Sequence, residues 1–167
     1  MPREELFVVS KVAAEHKTYE EAKAGIDETL KKMGLDYLDM MIIHSPQPWV
    51  EVNQSENRYV EGNRAAWRAL EEAYSEGKLK AIGVSNFQIG DLESLMETAE
   101  IKQMVNQVLC HISNTPLELI DFCQKNDIAI EAYSPIAHGE ILSQPEIKAI
   151  ADKYGVSVPQ ICIRYTL

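Results

Sequence analysis

Short apolar runs alternate with amphipathic stretches along the whole chain. Five runs have the length and nearly unbroken hydrophobicity of strands that are covered on both faces. They occupy residues 6–9, 38–43, 81–84, 104–108 and 128–133. Because a stretch with helical spacing follows each run, we predict parallel strands joined by right-handed crossovers.

Several helix boundaries are marked by capping residues. Thr18 and Glu21 have the spacing of a capping box, and Gly34 is a suitable C-terminal stop for the helix that follows them. Pro116 suits a first helical turn. A polar loop is predicted from Gln47 to about residue 57. Further helices are predicted at about residues 60–76, 89–98, 116–125, 145–154 and 159–165.

The alternation has the period of a β/α unit, and no linker-like or low-complexity segment interrupts it. Units of this kind build barrels or doubly wound sheets rather than solenoids. We therefore predict an α/β fold of about five parallel β/α units in a single domain over residues 1–167.

Composition narrows the class of protein. The 167 residues include 16 basic and 26 acidic side chains, a formal charge of −10, which argues against non-specific nucleic-acid binding. The apolar runs are shorter than the roughly 20 residues needed to cross a bilayer, and the first residues lack the pattern of a secretory signal. Cys110, Cys123 and Cys162 do not form a CxxC pair. We expect a cytoplasmic protein with reduced cysteines, of which Cys110 and Cys123 are expected to be buried.

Polar residues end each predicted strand on its carboxyl side, the edge that binds ligands in parallel α/β folds. They are Ser10, Lys11, His44, Ser85, Asn86, Gln107, Tyr133 and Ser134. A lysine and a histidine can stabilise negative charge on a carbonyl oxygen, amides can hold a flat carboxamide, and a tyrosine ring can stack on a flat ring. The four histidines lack paired-ligand spacing for a metal, and neither GxGxxG nor a P-loop occurs.

These residues resemble motifs of the aldo-keto reductases, NADPH-dependent oxidoreductases with a (β/α)8 TIM barrel. The resemblance covers the whole chain and follows the family order. It rests on Ser10-Lys11, on Ile43-His44-Ser45-Pro46, on Ile82-Gly83-Val84-Ser85-Asn86-Phe87, on Asn106-Gln107 and on Ala132-Tyr133-Ser134-Pro135.

The resemblance implies a role for each matching residue. Lys11 would lower the pKa of a catalytic tyrosine, and His44 would orient the substrate carbonyl. The implied cofactor site is Ser85, Asn86 and Gln107 at the nicotinamide carboxamide, Tyr133 stacked on the ring, and Ser134 and Ile136 near the pyrophosphate. Ser45, where many members have tryptophan, and Trp49 would line the substrate pocket, and Tyr59 is a further candidate. The implied cofactor is NADPH, with NADH left open, and the implied substrate is a small aldehyde or ketone.

The resemblance also implies an incomplete barrel, since the five strands correspond to the third to seventh of eight. The family's catalytic tyrosine and supporting aspartate lie upstream of the lysine strand, and neither has a counterpart in these 167 residues. We therefore expect the chain to be inactive alone and to self-associate through open sheet edges.

Two alternatives stay open at this point. The chain could be a non-catalytic cofactor- or protein-binding remnant of the same fold. An unrelated barrel enzyme would need Lys11 as a Schiff-base nucleophile or a pair of carboxylates at the strand ends, where none is expected. Glu71 and Glu72 are expected on a solvated helix face.

Overall fold

The computed structural model describes residues 1–52 and 54–167, so Asn53, within the predicted polar loop, lies outside the described residues. Five strands form one parallel sheet in the order in which they occur along the chain. They are β1 (Val9–Val12), β2 (Met40–Ile43), β3 (Ile82–Ser85), β4 (Val105–Leu109) and β5 (Ala129–Tyr133). The predicted succession of parallel β/α units is confirmed.

The described residues also form six α-helices and two short 3-10 helices, one of which precedes β1. The α-helices are α1 (Tyr19–Met33), α2 (Val60–Ser75), α3 (Ile89–Met96), α4 (Leu117–Lys125), α5 (Pro145–Tyr154) and α6 (Val158–Tyr165). The capping box of Thr18 and Glu21 is present, and Gly34 ends α1 in the left-handed conformation with φ 64°. The 3-10 helices, Arg3–Glu5 and Ala137–Ser143, were not predicted.

The first strand lies three residues later than the hydrophobic run suggested. Phe7 is 70% exposed, and the N–H of Val8 donates to the carboxylate of Asp39 at 2.9 Å. Lys11 is inside β1, paired with Ile42 of β2. The prediction of a strand at residues 6–9 was wrong because pairing with β2, rather than local hydrophobicity, sets where the strand begins.

The helices cover one face of the sheet. The covered face carries the main apolar core, in which Met41 and Ile43 of β2 are buried. Ile42, which alternates with them, belongs to a small second cluster with Met40 and Val105. We call the side that carries Ile42 the inner face of the sheet.

Gly83 allows β3 and β4 to approach closely on the inner face. A Cβ at Gly83 would lie 2.6 Å from the backbone oxygen of Val105, closer than real Cβ atoms come. In the described part of the chain, β1 and β5 each pair with a neighbouring strand on one side only, so the sheet has two open edges.

None of the helices in the described residues is both long and apolar enough to span a bilayer.

Two expectations for buried groups have different outcomes. Cys110 and Cys123 are buried, as expected, and burial raises the pKa of both thiols. Glu71 was expected on a solvated face but is 8% exposed, and its Oε1 accepts the backbone N–H groups of Glu100 and Ile101, each at 2.8 Å. The expectation for Glu71 was wrong because helical spacing shows which side a residue occupies, but not whether a neighbouring segment covers it.

Candidate functional site

Strand register places several of the predicted site residues on the inner face. Lys11 pairs with Ile42, which belongs to the inner-face cluster. Ser85 pairs with Gln107, which pairs in turn with Glu131. Residues paired across a parallel ladder point to the same side of the sheet, and alternation carries the same side to Tyr133.

His44 directly follows β2, and its ring packs against Trp49. The ring centroids are 4.8 Å apart and the planes are at 89°. Burial and then the nearby Lys11 charge lower the pKa of His44 below 6.5, although Glu15 opposes the shift. At neutral pH the imidazole is therefore mainly uncharged, and the ring can donate one N–H and accept one hydrogen bond.

Asn86 connects the ends of three strands. Its Nδ2 donates to the backbone oxygen of His44 at 2.9 Å and to Ser85 Oγ at 3.1 Å, and its Oδ1 accepts from Tyr133 OH at 2.8 Å. Its φ of 62° is in the left-handed region, where asparagine is tolerated better than most residues. Burial raises the pKa of Tyr133, so the phenol remains a proton-bearing donor at neutral pH.

Gln107 is fixed by both neighbouring strands. Ser85 Oγ donates to its backbone oxygen at 2.8 Å, and its Nε2 donates to Glu131 Oε1 at 2.7 Å. The sequence interpretation did not identify Glu131, which lies in the middle of β5 rather than at a strand end. The sequence contained a signal for it, because Glu131 lies two residues before Tyr133 and alternation along a strand puts both side chains on the same face. In the described strands Glu131 has no second carboxylate on the inner face, so the acidic pair that the alternative barrel enzyme needs is not formed.

A cavity of about 360 Å³ lies at the carboxyl ends of β2 to β5. Four predicted site residues line it, namely Ser45, Trp49, Asn86 and Tyr133. Lys11, His44, Ser85 and Gln107 are not in its lining. His44, through its backbone oxygen, and Ser85, through its hydroxyl, contact Asn86, which lines the cavity.

The remaining predicted residues lie outside this lining. Ser134 Oγ lies 3.3 Å from His138 Nε2, and Ile136 packs against a separate apolar cluster around Ile141 and Cys162. Tyr59 donates its hydroxyl to Glu51 and is likewise not in the lining.

The loop between β2 and α2 contributes lining residues that sequence reasoning missed, among them Gln47 and Arg58. The Arg58 guanidinium binds both carboxylate oxygens of Asp91 and donates from Nη1 to Gln47 Oε1 at 2.8 Å. No periodic pattern marks these residues, since they lie in an irregular segment.

Comparison with known proteins identifies relatives along the whole chain. The sequence pattern of the Aldo/keto reductase family matches residues 1–167. The chain is 48% identical over 165 residues to an uncharacterized oxidoreductase, YtbE, of Bacillus subtilis and 43% identical over 165 residues to the glyoxal reductase of the same organism. In each case the alignment covers 99% of this chain and 55% of the relative, so the chain spans slightly more than half the length of these relatives.

Solved structures of the same family have the same arrangement of strands and helices. An aldo-keto reductase from a Medee basin deep-sea metagenome library superposes with a TM-score of 0.88 at 39% identity, over 99% of this chain and 58% of the other. A Bombyx mori aldo-keto reductase in complex with NADP gives 0.83 at 31% identity, over 99% and 56%. The five parallel strands and their helices are therefore an incomplete α/β barrel of the TIM type.

Proposed function

Because the chain belongs to the aldo/keto reductase family, we propose that it forms the central part of an NADPH-dependent reductase of small aldehydes or ketones. Residues 1–167 would form one partial barrel domain in a cytoplasmic enzyme. The observation that carries the proposal is the contact chain from His44 through Asn86 to Tyr133 beside the cavity. The chain runs from the His44 backbone oxygen through the Asn86 carboxamide to the Tyr133 phenol, and the neutral His44 ring packs on Trp49, which also lines the cavity.

The residues at this edge fit the nicotinamide end of NADPH. Ser85, Asn86 and Gln107 would hold the carboxamide, since Gln107 Oε1 accepts no hydrogen bond from the described residues and the Asn86 side chain borders the cavity. Tyr133 would supply the face on which the ring stacks. Ser134 and Ile136 would approach the pyrophosphate, Ile136 through its backbone. When bound, NADPH would supply the hydride.

Lys11 and His44 would act on the substrate oxygen. His44 is mainly neutral at pH 7, and the one N–H of the neutral ring can donate a hydrogen bond to a carbonyl oxygen. Burial and, after it, the charge of Lys11 lower the pKa of His44, so Lys11 would add a positive charge to the same region. Together they would stabilise the negative charge that develops on the oxygen as the carbonyl is reduced. Ser45 and Trp49 would line the substrate pocket from the loop that follows β2.

We further propose that the 167-residue chain alone does not turn over carbonyl substrates, because no tyrosine in it stands at the family's proton-donor motif. Its two open sheet edges expose unpaired backbone groups, which favour self-association.

Direct binding of NADPH tests the proposal without requiring turnover. NADPH fluorescence should report binding to the chain, and Asn86→Ala should weaken it by at least about tenfold, since the substitution removes the carboxamide that borders the cavity and the acceptor that orients Tyr133. Asn114→Ala is the matched control, because Asn114 also lines the cavity but lies outside the contact chain. Absence of NADPH binding, or an equal loss in both variants, would contradict the assigned site.

A carbonyl-dependent NADPH oxidation assay tests the proposed inactivity of the chain separately from its proposed cofactor binding. We expect no turnover by the 167-residue chain with small aldehydes or ketones. Turnover would show that another group of this chain donates the proton, and would leave the cofactor site in place. NADPH binding without turnover is the expected outcome. A remnant that only binds proteins would show neither.

A further inference from the structure

A partly buried lysine outside the proposed machinery holds the segment that shapes the cavity. Lys17 lies between β1 and α1, and its Nζ donates to the backbone oxygen of Ser45 and to Asn63 Oδ1, both at 2.8 Å. Ser45 begins the β2–α2 loop, defined here as residues 45–52 and 54–58. Lys17 therefore connects the start of that loop to helix α2.

Asn63 extends this connection to the end of the loop. It is 4% exposed, and its Nδ2 donates to the backbone oxygens of Pro46 and Arg58, each at 3.0 Å. One amide therefore binds both ends of the β2–α2 loop while it accepts from Lys17. Removal of either side chain would leave buried polar groups without partners, which is costly.

Gly62 permits the close approach on which these contacts depend. A Cβ at Gly62 would lie 2.9 Å from both the backbone oxygen and the Cβ of Lys17. The first turn of α2 therefore packs directly on the Lys17 backbone, at a distance that only glycine allows.

A second contact from the same β1–α1 segment reaches the middle of the loop. Glu15 Oε1 accepts the backbone N–H of Trp49 at 3.3 Å, and the Trp49 ring packs on His44. The segment that carries Glu15 and Lys17 thus holds the loop at two points, and one of them sets the indole that borders the cavity.

We propose that Lys17 is a positioning residue that, with Asn63, holds the β2–α2 loop closed over the cavity and Trp49 against His44. The inference rests on the proposed function only in taking this cavity as the substrate pocket. Among the described contacts, Lys17 meets the residues assigned to the site only at the backbone oxygen of Ser45, so it acts through the loop.

The charge state of Lys17 gives this arrangement a pH dependence. Burial lowers the pKa of Lys17 to about 8, although Glu15 of its own segment and Asp91 of α3 oppose the shift. Asp91 is paired with Arg58, which keeps its charge over this range. An open loop would return Lys17 to water and a pKa near its ordinary 10.5. The closed loop therefore binds fewer protons than the open one between these values, so rising pH favours closure.

The number of hydrogen-bond acceptors around Lys17 agrees with closure of the loop at higher pH. A neutral amine has two hydrogens, and Lys17 Nζ has two acceptors among the described contacts, Ser45 O and Asn63 Oδ1. Both hydrogens of the neutral form are satisfied, and the desolvation cost of the ammonium is removed.

Tryptophan fluorescence measures the loop directly. Trp49 is 45% exposed and Trp67 is 1% exposed, so acrylamide quenching reports mainly Trp49, and Trp49→Phe assigns the signal. Lys17→Met should raise the quenching constant of the folded chain by about twofold, because the loop opens locally more often. Asn63→Leu should act in the same direction. Lys31→Met is the matched control, since Lys31 is exposed at the end of α1.

The pH profile distinguishes positioning from a general structural role. In the native chain, quenching of Trp49 should fall as pH rises from 7 to 9.5, and this fall should be absent in Lys17→Met. Titration of His44 lies below this range. Unchanged quenching in both Lys17→Met and Asn63→Leu, a flat native profile, or a native Trp49 as quenchable as free indole would overturn the proposal. No NADPH is present in these measurements, so failure of NADPH binding would refute the proposed function and leave this result intact.

Discussion

Substitution of Glu71 tests whether a buried carboxylate fixes the approach to β4. Glu71 Oε1 accepts the backbone N–H groups of Glu100 and Ile101, which begin the segment leading to that strand. The backbone oxygen of Ile101 also accepts from Trp67 Nε1 at 3.1 Å. Glu71→Ala leaves two partly buried donors without an acceptor, at about 1–3 kcal/mol each, so we expect a loss of about 3 kcal/mol in the free energy of unfolding.

Urea unfolding followed by circular dichroism measures this loss. With a slope of about 2 kcal/mol per molar urea, the midpoint should fall by about 1.5 M. Glu71→Gln should cost about 1 kcal/mol, since its amide oxygen can accept both N–H groups and only the charge is lost. Glu72→Ala is the neighbouring control, because Glu72 is partly exposed and binds Tyr19 and Lys23 at the surface. Equal effects of the alanine changes at Glu71 and Glu72 would refute the reasoning.

Three further predictions concern stability and are measured by the same unfolding experiment. Gly83→Ala should cost about 1–3 kcal/mol, because its Cβ would meet the Val105 backbone, whereas Gly90→Ala, where a Cβ meets nothing within 4 Å, should not destabilise; similar costs would contradict the close approach. Thr18→Ala should cost about 1 kcal/mol by removing the α1 cap, and a neutral result would show that the box contributes nothing. Stability should rise by up to about 3 kcal/mol between pH 8 and 10.5 relative to Lys17→Met, since the unfolded chain holds the Lys17 proton over that range; a constant difference would be the contrary result.

The parts of the fold that follow from local pattern were predictable. Thr18, Glu21 and Gly34 mark the ends of α1 through contacts within a few residues, and the structure has them as predicted. The order of parallel strands follows from the alternation of strand and helix. The position of β1 does not, because it depends on pairing with Ile42, a residue about 30 positions away.

The same distinction between local pattern and distant partners holds for the residues of the candidate site. Asn86 and Tyr133 end strands, and such residues meet at one edge of any parallel sheet, so the sequence was enough to place them beside a common cavity. Arg58 and Lys17 depend on how irregular segments fold over that edge. Their partners, Asp91 and Asn63, are more than 30 residues away, and no spacing rule relates them.

The ladder in which each strand binds only its neighbours in sequence has a consequence for biosynthesis. When β2 leaves the ribosome, its partner β1 has already been synthesised, and each later strand likewise follows the strand with which it pairs. None of the described strands has to wait for a distant partner, so the sheet can grow vectorially, one β/α unit at a time, in step with translation.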